Sequence, residues 1–240
     1  MSIEGKVKKV ILVSIKNNIY KVFITPNNSI DFKAGQYVVV DFDNEKRPFS
    51  IASCPTKKDE IELHVGGSDR EKSLDAIEYF LNALVEESVI KIDVPYGDAW
   101  WREESEKTLL LIAGGTGLSY ISSILKNCLS KGFTQDIYLY WGVKDSSFLY
   151  EDEELLNLSL NNKNFHYIPV IEDKNEEWIG KKGTVLDAVM EDFTDLTHFD
   201  IYVCGPFMMA KTAKEKLIEE KKAKSEQMFC RCFCIHIKRI

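Results

Sequence analysis

Apolar and polar residues alternate over most of the first hundred positions, with a period of two residues. This alternation predicts short strands that bury one face. The predicted strands are VKKVILVSI, IYKVFITP, QYVVVDF, FSIAS, IELHV and VIKIDVP. One segment, EKSLDAIEYFLNAL, has apolar residues at helical spacing instead, among them Leu74, Ile77 and Phe80. Closely spaced strands with a single helical insertion favour a small antiparallel barrel.

The pattern changes after Thr108. LLLIA is a continuous apolar run, as expected of a strand buried on both faces of a parallel sheet. Strand-like segments then alternate with helix-like ones, ending in a long predicted helix over about residues 206–222. This alternation predicts an α/β domain with a doubly wound parallel sheet. The charged segment WWREESEKT marks the boundary, so we predict domains at residues 1–103 and 104–229.

Composition and charge narrow the function. The formal net charge of -7 argues against a nucleic-acid partner or an anionic membrane surface. We see no secretory signal at the start and no run near the roughly 20 apolar residues that span a bilayer. Outside the last residues, the cysteines are far apart and unpaired in sequence, which suits a reducing cytoplasm. We therefore expect a cytoplasmic enzyme or binding protein.

A glycine cluster lies between a predicted buried strand and a predicted helix, at Ala113, Gly114, Gly115, Thr116 and Gly117. A turn of this kind presents free backbone N–H groups and the positive end of a helix dipole to a diphosphate. It is not the Rossmann fingerprint, because Tyr120 stands where the third glycine would be, and it is not a P-loop, because no lysine follows. The alternative is a tight turn without a ligand.

Two other segments are ambiguous by themselves. Cys204, Gly205 and Pro206 end one predicted strand and open a helix, at the same edge of the sheet as the glycine cluster. Cys204 could line a nicotinamide pocket, but without other information the favoured interpretation is a small buried thiol beside a proline that starts a helix. In the barrel half, R-P-F-S at residues 47–50 offers a guanidinium fork and a hydroxyl, but by itself it favours an ordinary strand with Phe49 in the core and a solvated Arg47.

Together, these three segments resemble the ferredoxin-NADP⁺ reductase superfamily, in their order and spacing over about residues 1–227. The resemblance is strongest to the small NAD(P)H:flavin oxidoreductases, especially those encoded in the luminescence operons of marine bacteria. FKAGQYVVV, RPFSIAS, LLLIAGGTGLSY and IYVCGPFMMAKTAK carry it. It implies an N-terminal antiparallel Greek-key barrel for flavin and a C-terminal domain for the nicotinamide nucleotide.

On the flavin side, the resemblance implies that the R-P-F-S strand holds the isoalloxazine ring. Arg47 would face the ribityl or phosphate side, and Pro48 and Phe49 would shape the ring site. Ser50 would place its hydroxyl near flavin N5, where a neutral donor stabilises charge as hydride arrives. The next segment of the pocket would be His64, Gly66, Gly67 and Ser68; for His64, a place in the core is an equally good interpretation.

On the nucleotide side, the resemblance implies that Gly114, Gly115, Thr116 and Gly117 cradle the dinucleotide, with Ala113 leading into the turn. Cys204, Gly205 and Pro206 would close the nicotinamide side. Ser50 and Cys204 are thus the predicted catalytic pair. Since the cofactors carry the chemistry, we expect no metal, no nucleophile and no essential general base.

The resemblance also predicts how flavin is used. Only one helix lies between Ser68 and Val89, so an adenine-side loop that would retain FAD is not expected, and FMN, riboflavin or FAD would exchange as substrates. Reduced flavin would pass to a luciferase by diffusion or a transient encounter. NADH is favoured over NADPH only through the luminescence-type resemblance, because residues 144–147 (KDSS) offer both a lysine and a carboxylate.

A rival interpretation is an FAD-containing electron-transfer reductase with a protein or iron–sulfur partner. Only the tail, CRCFCIHIKRI at residues 230–240, favours it. The single-residue gaps between Cys230, Cys232 and Cys234 differ from ferredoxin and zinc spacings, although His236 could in principle complete a zinc site.

We therefore interpret the tail as anomalous. Related reductases end in a stretch like Asp-Ala-Phe-Ala-Tyr-Ile, and the codons permitted from Arg231 onward encode that ending and a stop when shifted by one nucleotide. The hypothesis is a frameshifted reading, with the stop near position 236. Read as written, the tail is expected to remove the family's closing strand.

Overall fold

The computed structural model describes residues 1–42, 45–67, 70–173 and 177–232. These residues form two compact units. The first unit contains Met1–Glu103 together with Ser122–Phe133, and the second contains Glu104–Ile121 and the chain from Thr134 onward. The predicted domains divide the chain at a single point, between residues 103 and 104, whereas packing also assigns the segment Ser122–Phe133 to the first unit.

The first unit is built on a six-stranded antiparallel sheet. Its strands are β1 (Ser2–Ser14), β2 (Ile19–Pro26), β3 (Tyr37–Asp41), β4 (Lys46–Ser50), β5 (Ile61–Val65) and β6 (Val89–Tyr96). Their order in the sheet is β4-β3-β6-β1-β2-β5. Just beyond β4, the amide of Ala52 donates to the carbonyl of Glu62 at 2.7 Å. This bond brings the two end strands together, as a barrel requires, and confirms the predicted architecture.

The single helix of this unit, α1 (Arg70–Val85), covers part of the sheet. Ala76, Ile77 and Phe80 are buried in a core of Val, Ile and Leu side chains from the strands. The predicted apolar face is therefore right for Ile77 and Phe80. It is wrong for Leu74, which is 44% exposed, because the buried face is centred near Ala76 and Phe80 and Leu74 lies on the other side of the helix.

The second unit has a six-stranded sheet in which all neighbouring strands are parallel. Its strands are β7 (Thr108–Gly114), β8 (Ile137–Val143), β9 (Phe165–Ile171), β10 (Lys181–Lys182), β11 (Phe199–Gly205) and β12 (Met228–Cys232). Their order is β10-β9-β8-β7-β11-β12. The helices that follow strands are α2 (Leu118–Ser130), α3 (Asp152–Asn161), α4 (Val185–Asp192) and α5 (Phe207–Lys221). The predicted α/β parallel sheet is confirmed.

Local chemistry explains where two of these helices begin and end. At the start of α4, the Thr184 hydroxyl accepts from the Asp187 amide at 3.1 Å, and the Asp187 carboxylate accepts from the Thr184 amide, a reciprocal capping box. Pro206 precedes α5, and Lys222 ends it in the left-handed conformation with φ of 57°. None of the helices in the described ranges is long and apolar enough to cross a membrane.

The tail is partly ordered into the sheet. β12 pairs with β11 in parallel as far as Cys232, and the Phe229 ring stacks on Tyr202 with centroids 4.9 Å apart. The expected loss of the closing strand concerns the tail at residues 230–240, most of which lies outside the described ranges, so it stays a prediction; up to Cys232 the backbone pairs with β11. The remaining residues, including Cys234 and His236, lie outside the described ranges.

Candidate functional site

The R-P-F-S segment forms β4 and pairs with β3 along its length. Phe49 points into the core, where its ring meets Phe80 edge-on at 5.9 Å. Pro48, its neighbour on the opposite face, is exposed. The strand thus uses one face to hold itself on the core and leaves the other face, with Pro48, open to a ligand.

Ser50 ends β4 opposite Tyr37. The residue is only 2% exposed, and its hydroxyl oxygen has no hydrogen-bond partner among the described residues. A buried hydroxyl without a partner is unfavourable by about 1–3 kcal/mol. A polar edge of a bound ligand would satisfy it, so Ser50 fits the flavin contact that the resemblance implies.

Arg47 is already engaged in this structure. Its guanidinium donates to the carbonyl of Lys72 in α1 at 2.8 Å, lies 3.6 Å from the carboxylate of Asp75, and is paired with Glu45. It also lies over the Phe42 ring at 4.8 Å. A flavin phosphate at Arg47 would therefore compete with carboxylates for the same donors, which the sequence does not indicate.

The next predicted segment follows β5. Gly66 and Gly67 have φ values of 150° and 134°, a region that side chains rarely enter. A Cβ at Gly66 would also come within 3.0 Å of the Asn18 carbonyl oxygen. Ser68 lies outside the described residues. Gly66 therefore allows close packing of the end of β5 on the chain at Asn18 and Ile19, and whether this segment also contacts a cofactor stays a prediction.

His64 lies inside the first unit. Its side chain is completely buried, and Nε2 lies 3.1 Å from a carboxylate oxygen of Glu62. Burial lowers the pKa of His64, although the hydrogen bond to Glu62 acts in the opposite direction. The imidazole in this structure belongs to an internal charge cluster.

The glycine cluster connects β7 to α2 in the second unit. Gly115–Gly117 form one turn of 3-10 helix, and α2 begins at Leu118. Gly115 has φ of 54°, and a Cβ added there would meet nothing within 4 Å, so its backbone is open to a ligand. Gly117 is different: a Cβ there would lie 2.2 Å from the carbonyl oxygen of Cys204. One glycine leaves room for a ligand, and the other allows the turn to pack on β11.

Side chains of this unit hold the turn in place. The Trp141 indole nitrogen donates to the carbonyl of Gly115 at 2.9 Å, and the Ser119 hydroxyl donates to the carbonyl of Thr116 at 3.0 Å. Trp141 is completely buried and pairs with Ala113 in the sheet. Sequence reasoning missed it, although a Trp at the end of a buried strand signals a nearby acceptor for its N–H.

The C-G-P segment ends β11, as predicted. Cys204 pairs with Ala113 and is completely buried. The part of Cys204 that packs against the turn is its backbone carbonyl, which lies next to Gly117. A Cβ at Gly205 would lie 2.6 Å from the Met209 methyl group. Pro206 is exposed. The glycine cluster and the C-G-P segment are thus brought together at the carboxyl ends of adjacent strands.

The loop after β8 contains the residues predicted to distinguish NADH from NADPH. The carboxylate of Asp145 accepts from the amide of Ser147 at 3.0 Å and from its hydroxyl, which caps a short 3-10 turn. Lys144 is exposed. The Asp145 carboxylate therefore already accepts hydrogen bonds within its own loop, whereas the Lys144 side chain is exposed to solvent.

Known proteins share both the sequence and the fold. The family model for the oxidoreductase NAD-binding domain matches residues 111–215. A probable flavin reductase of Aliivibrio fischeri is 74% identical over 97% of this chain and 99% of its own length. The NAD(P)H-flavin reductase of Vibrio harveyi is 46% identical over 95% of this chain and 97% of its own length.

Among solved structures, a ferredoxin NADP⁺ reductase from Neisseria gonorrhoeae with bound FAD and NADP has a similar fold. Its TM-score is 0.75 at 19% identity, covering 96% of this chain and 98% of that one. The two-unit fold and the sequence relatives confirm the predicted resemblance. The fold is thus similar to that of a ferredoxin NADP⁺ reductase, and the chain belongs to the family of the NAD(P)H-flavin reductases.

Proposed function

We propose that this enzyme reduces free flavin, with FMN and riboflavin as its main substrates and FAD as a further one, and that it releases the reduced flavin. The observation that carries this proposal is the buried hydroxyl of Ser50, which has no partner among the described residues and ends the R-P-F-S strand. A polar edge of a bound flavin would give this hydroxyl a partner and remove the cost of leaving it unsatisfied.

The flavin, when bound, supplies the hydride acceptor, and the nicotinamide supplies the hydride. In the proposed mechanism, Ser50 donates its hydroxyl hydrogen to the N5 edge and stabilises charge that develops there. Pro48 provides the exposed face of β4, and the segment of Gly66 and Gly67, which both have positive φ, is proposed to line the ring site. Phe49 fixes the strand through the core. Arg47 binds the ribityl or phosphate end.

For the nucleotide, the proposed contacts are backbone groups of Gly114, Gly115 and Thr116, which hold the diphosphate at the start of α2. The bond from Trp141 to the turn supports this, because a fixed turn loses less entropy when it binds. Gly117 and Cys204 set the spacing of the turn from β11. Cys204 is proposed to act by position at the nicotinamide side rather than as a nucleophile, since its side chain is buried.

Exchange of flavin is supported by the connection between β5 and β6. The described part of this connection contains one secondary-structure element, the helix α1. That described part contains no further segment that would form a loop for the adenine of FAD. NADH is proposed as the preferred donor, on the resemblance to the luminescence-type reductases; the exposed Lys144 supports NADPH as a second donor.

The proposed role in the cell is to supply reduced flavin to a luciferase in the cytoplasm, by diffusion or a transient encounter. The support is similarity to flavin reductases of Aliivibrio fischeri, Photobacterium leiognathi and Vibrio harveyi. The buried cysteines Cys54, Cys128 and Cys204 form no disulfide among the described residues, which suits a reducing compartment.

The test is an NADH consumption assay with and without added FMN, combined with the visible spectrum of the purified protein. We expect a nearly colourless protein whose NADH oxidation requires added flavin. A yellow protein that keeps stoichiometric flavin through gel filtration overturns the exchange proposal. Oxidation that requires a protein acceptor and not free flavin would favour the electron-transfer alternative.

A further inference from the structure

The first unit contains a buried cluster of charged groups around Glu62, which is 6% exposed. One carboxylate oxygen lies 3.1 Å from Nε2 of His64 and 3.6 Å from Nζ of Lys21. The other oxygen accepts from Nζ of Lys126 at 3.0 Å. Glu62 and His64 lie on β5 and Lys21 on β2, whereas Lys126 comes from the segment Ser122–Phe133 of α2, so one carboxylate joins three elements of this unit.

The charges in the cluster depend on one another. Burial raises the pKa of Glu62, but the hydrogen bond with His64 and the positive charge of Lys126 outweigh it and hold the pKa below its ordinary value. Burial and both lysines lower the pKa of His64, and its Nε2 lies within hydrogen-bond distance of Glu62, whose carboxylate can only accept. Without Glu62, Lys21, Lys126 and His64 would lose the one carboxylate that they share.

The backbone of Glu62 is also tied to the chain that leaves β4. The amide of Ala52 donates to the Glu62 carbonyl at 2.7 Å, and the Glu62 amide donates to the Ser53 hydroxyl at 3.2 Å. Ser123, one helical turn before Lys126, donates its hydroxyl hydrogen to the Ser53 carbonyl at 2.8 Å. The segment Ser122–Phe133 therefore holds both the chain after Ser50 and the strand that leads to Gly66.

We propose that Glu62 is a positioning residue for flavin binding, which fixes the ends of β4 and β5 against the α2 segment through Lys126 and His64. The inference rests on the proposed function, because those strand ends carry Ser50 and Gly66–Gly67. Glu62 and His64 do not touch the flavin in this scheme. They determine where the groups that touch it stand.

The experiment compares Glu62→Gln with Glu60→Gln, a matched loss of one carboxylate. Glu60 lies two residues earlier in an exposed pair with Lys57, at 3.1 Å. The flavin Kd is measured by quenching of FMN fluorescence, and kcat and both KM values by NADH oxidation. We expect E62Q to raise the FMN Kd and KM about tenfold, less than the ~100-fold that a 1 Å misplacement can cause. The NADH KM should stay within twofold, and E60Q should match the wild type.

Two further variants keep the test decisive if E62Q folds poorly. Lys126→Met removes the contact from α2 alone and should weaken FMN binding in the same direction. Glu62→Asp keeps the charge and should restore part of the affinity. Lower thermal stability with unchanged FMN Kd and KM in all three variants would show a purely structural role and overturn the inference. A wild type that does not reduce FMN would instead sink the proposed function.

Discussion

A single methyl group at Gly117 should separate nucleotide binding from flavin binding. A Cβ added there would lie 2.2 Å from the carbonyl oxygen of Cys204 and 3.0 Å from the amide nitrogen of Gly205. Both are backbone atoms at the end of β11, and a backbone atom cannot rotate away as a side chain can. Since nonbonded contacts are favourable only near 3.5 Å, the turn must move away from β11 by about 1 Å.

We therefore expect Gly117→Ala to lower the free energy of unfolding by about 1–3 kcal/mol, the usual cost of adding a methylene to a close-packed interior. A displacement of about 1 Å in a turn that aligns a reactant can reduce the rate about 100-fold. The expected result is a loss of this order in kcat/KM for NADH. The FMN Kd should change less than twofold, because the proposed flavin contacts lie in the first unit.

The assay is NADH oxidation at saturating FMN, with urea unfolding and FMN fluorescence titration on the same preparations. Gly115→Ala and Gly132→Ala form a matched pair of controls. Both positions have positive φ, 54° and 67°, and open space around an added Cβ, so both variants pay a similar strain of about 1–2 kcal/mol. Only Gly115 belongs to the proposed nucleotide turn.

Two results would refute this reasoning. If G117A keeps the wild-type stability and kcat/KM for NADH, then the turn adjusts without cost and the packing argument is wrong. If G115A and G132A change the NADH KM equally, then the turn at Gly115 does not bind the nucleotide.

Three other predictions concern single side chains. Ser50→Ala should lower kcat about 100-fold, as loss of a donor to developing charge does, with unchanged or slightly higher stability in urea unfolding, because the deleted hydroxyl has no partner among the described residues; an unchanged kcat would exclude the proposed contact. Trp141→Phe removes the donor to the Gly115 carbonyl and should raise the NADH KM about 5–10-fold in the same steady-state assay, while the FMN Kd stays constant. Burial lowers the pKa of His64 from its ordinary value of 6.5. Below pH 6.5 the unfolded chain therefore binds more protons than the folded one. The free energy of unfolding consequently falls as the pH drops, by at most about 1.4 kcal/mol per pH unit. His64→Gln should flatten this slope in urea titrations between pH 7 and pH 5, and a slope equal to that of the wild type would contradict the assignment to His64.

The sequence was sufficient to locate the strand and turn segments of the candidate site. Continuous apolar runs predicted β7 and β11 as buried parallel strands, and such strands place the residues that follow them at one edge of the sheet. The glycine cluster and the C-G-P segment were therefore expected to be neighbours, and the pairing of Ala113 with Cys204 agrees. Chain order and periodicity decide these features, and both can be read from one sequence.

The environment of β5 could not be predicted in the same way. Alternation assigns Ile61, Leu63 and Val65 to the core face, and so Glu62 and His64 to the other face, where solvent or a ligand would be expected. In the structure all five residues of β5 are buried. On the second face, Glu62 accepts from Lys126 of α2, which is 64 residues further along the chain. Periodicity describes one strand and its own two faces, and it carries no information about a helix that packs on the second face.

The sequence also does not reveal what packs against each of two identical residues within a single motif. Gly115 and Gly117 are two positions apart and have the same letter, yet an added Cβ meets open space at the first and the Cys204 carbonyl at the second. Loss of the first glycine would mainly strain the local backbone, and loss of the second would force two segments of the sheet region apart. A glycine-rich pattern therefore predicts a close approach between the backbone at the glycines and another group. Whether that partner is a ligand or another strand depends on the direction in which each missing side chain would point, and only the folded backbone fixes that direction.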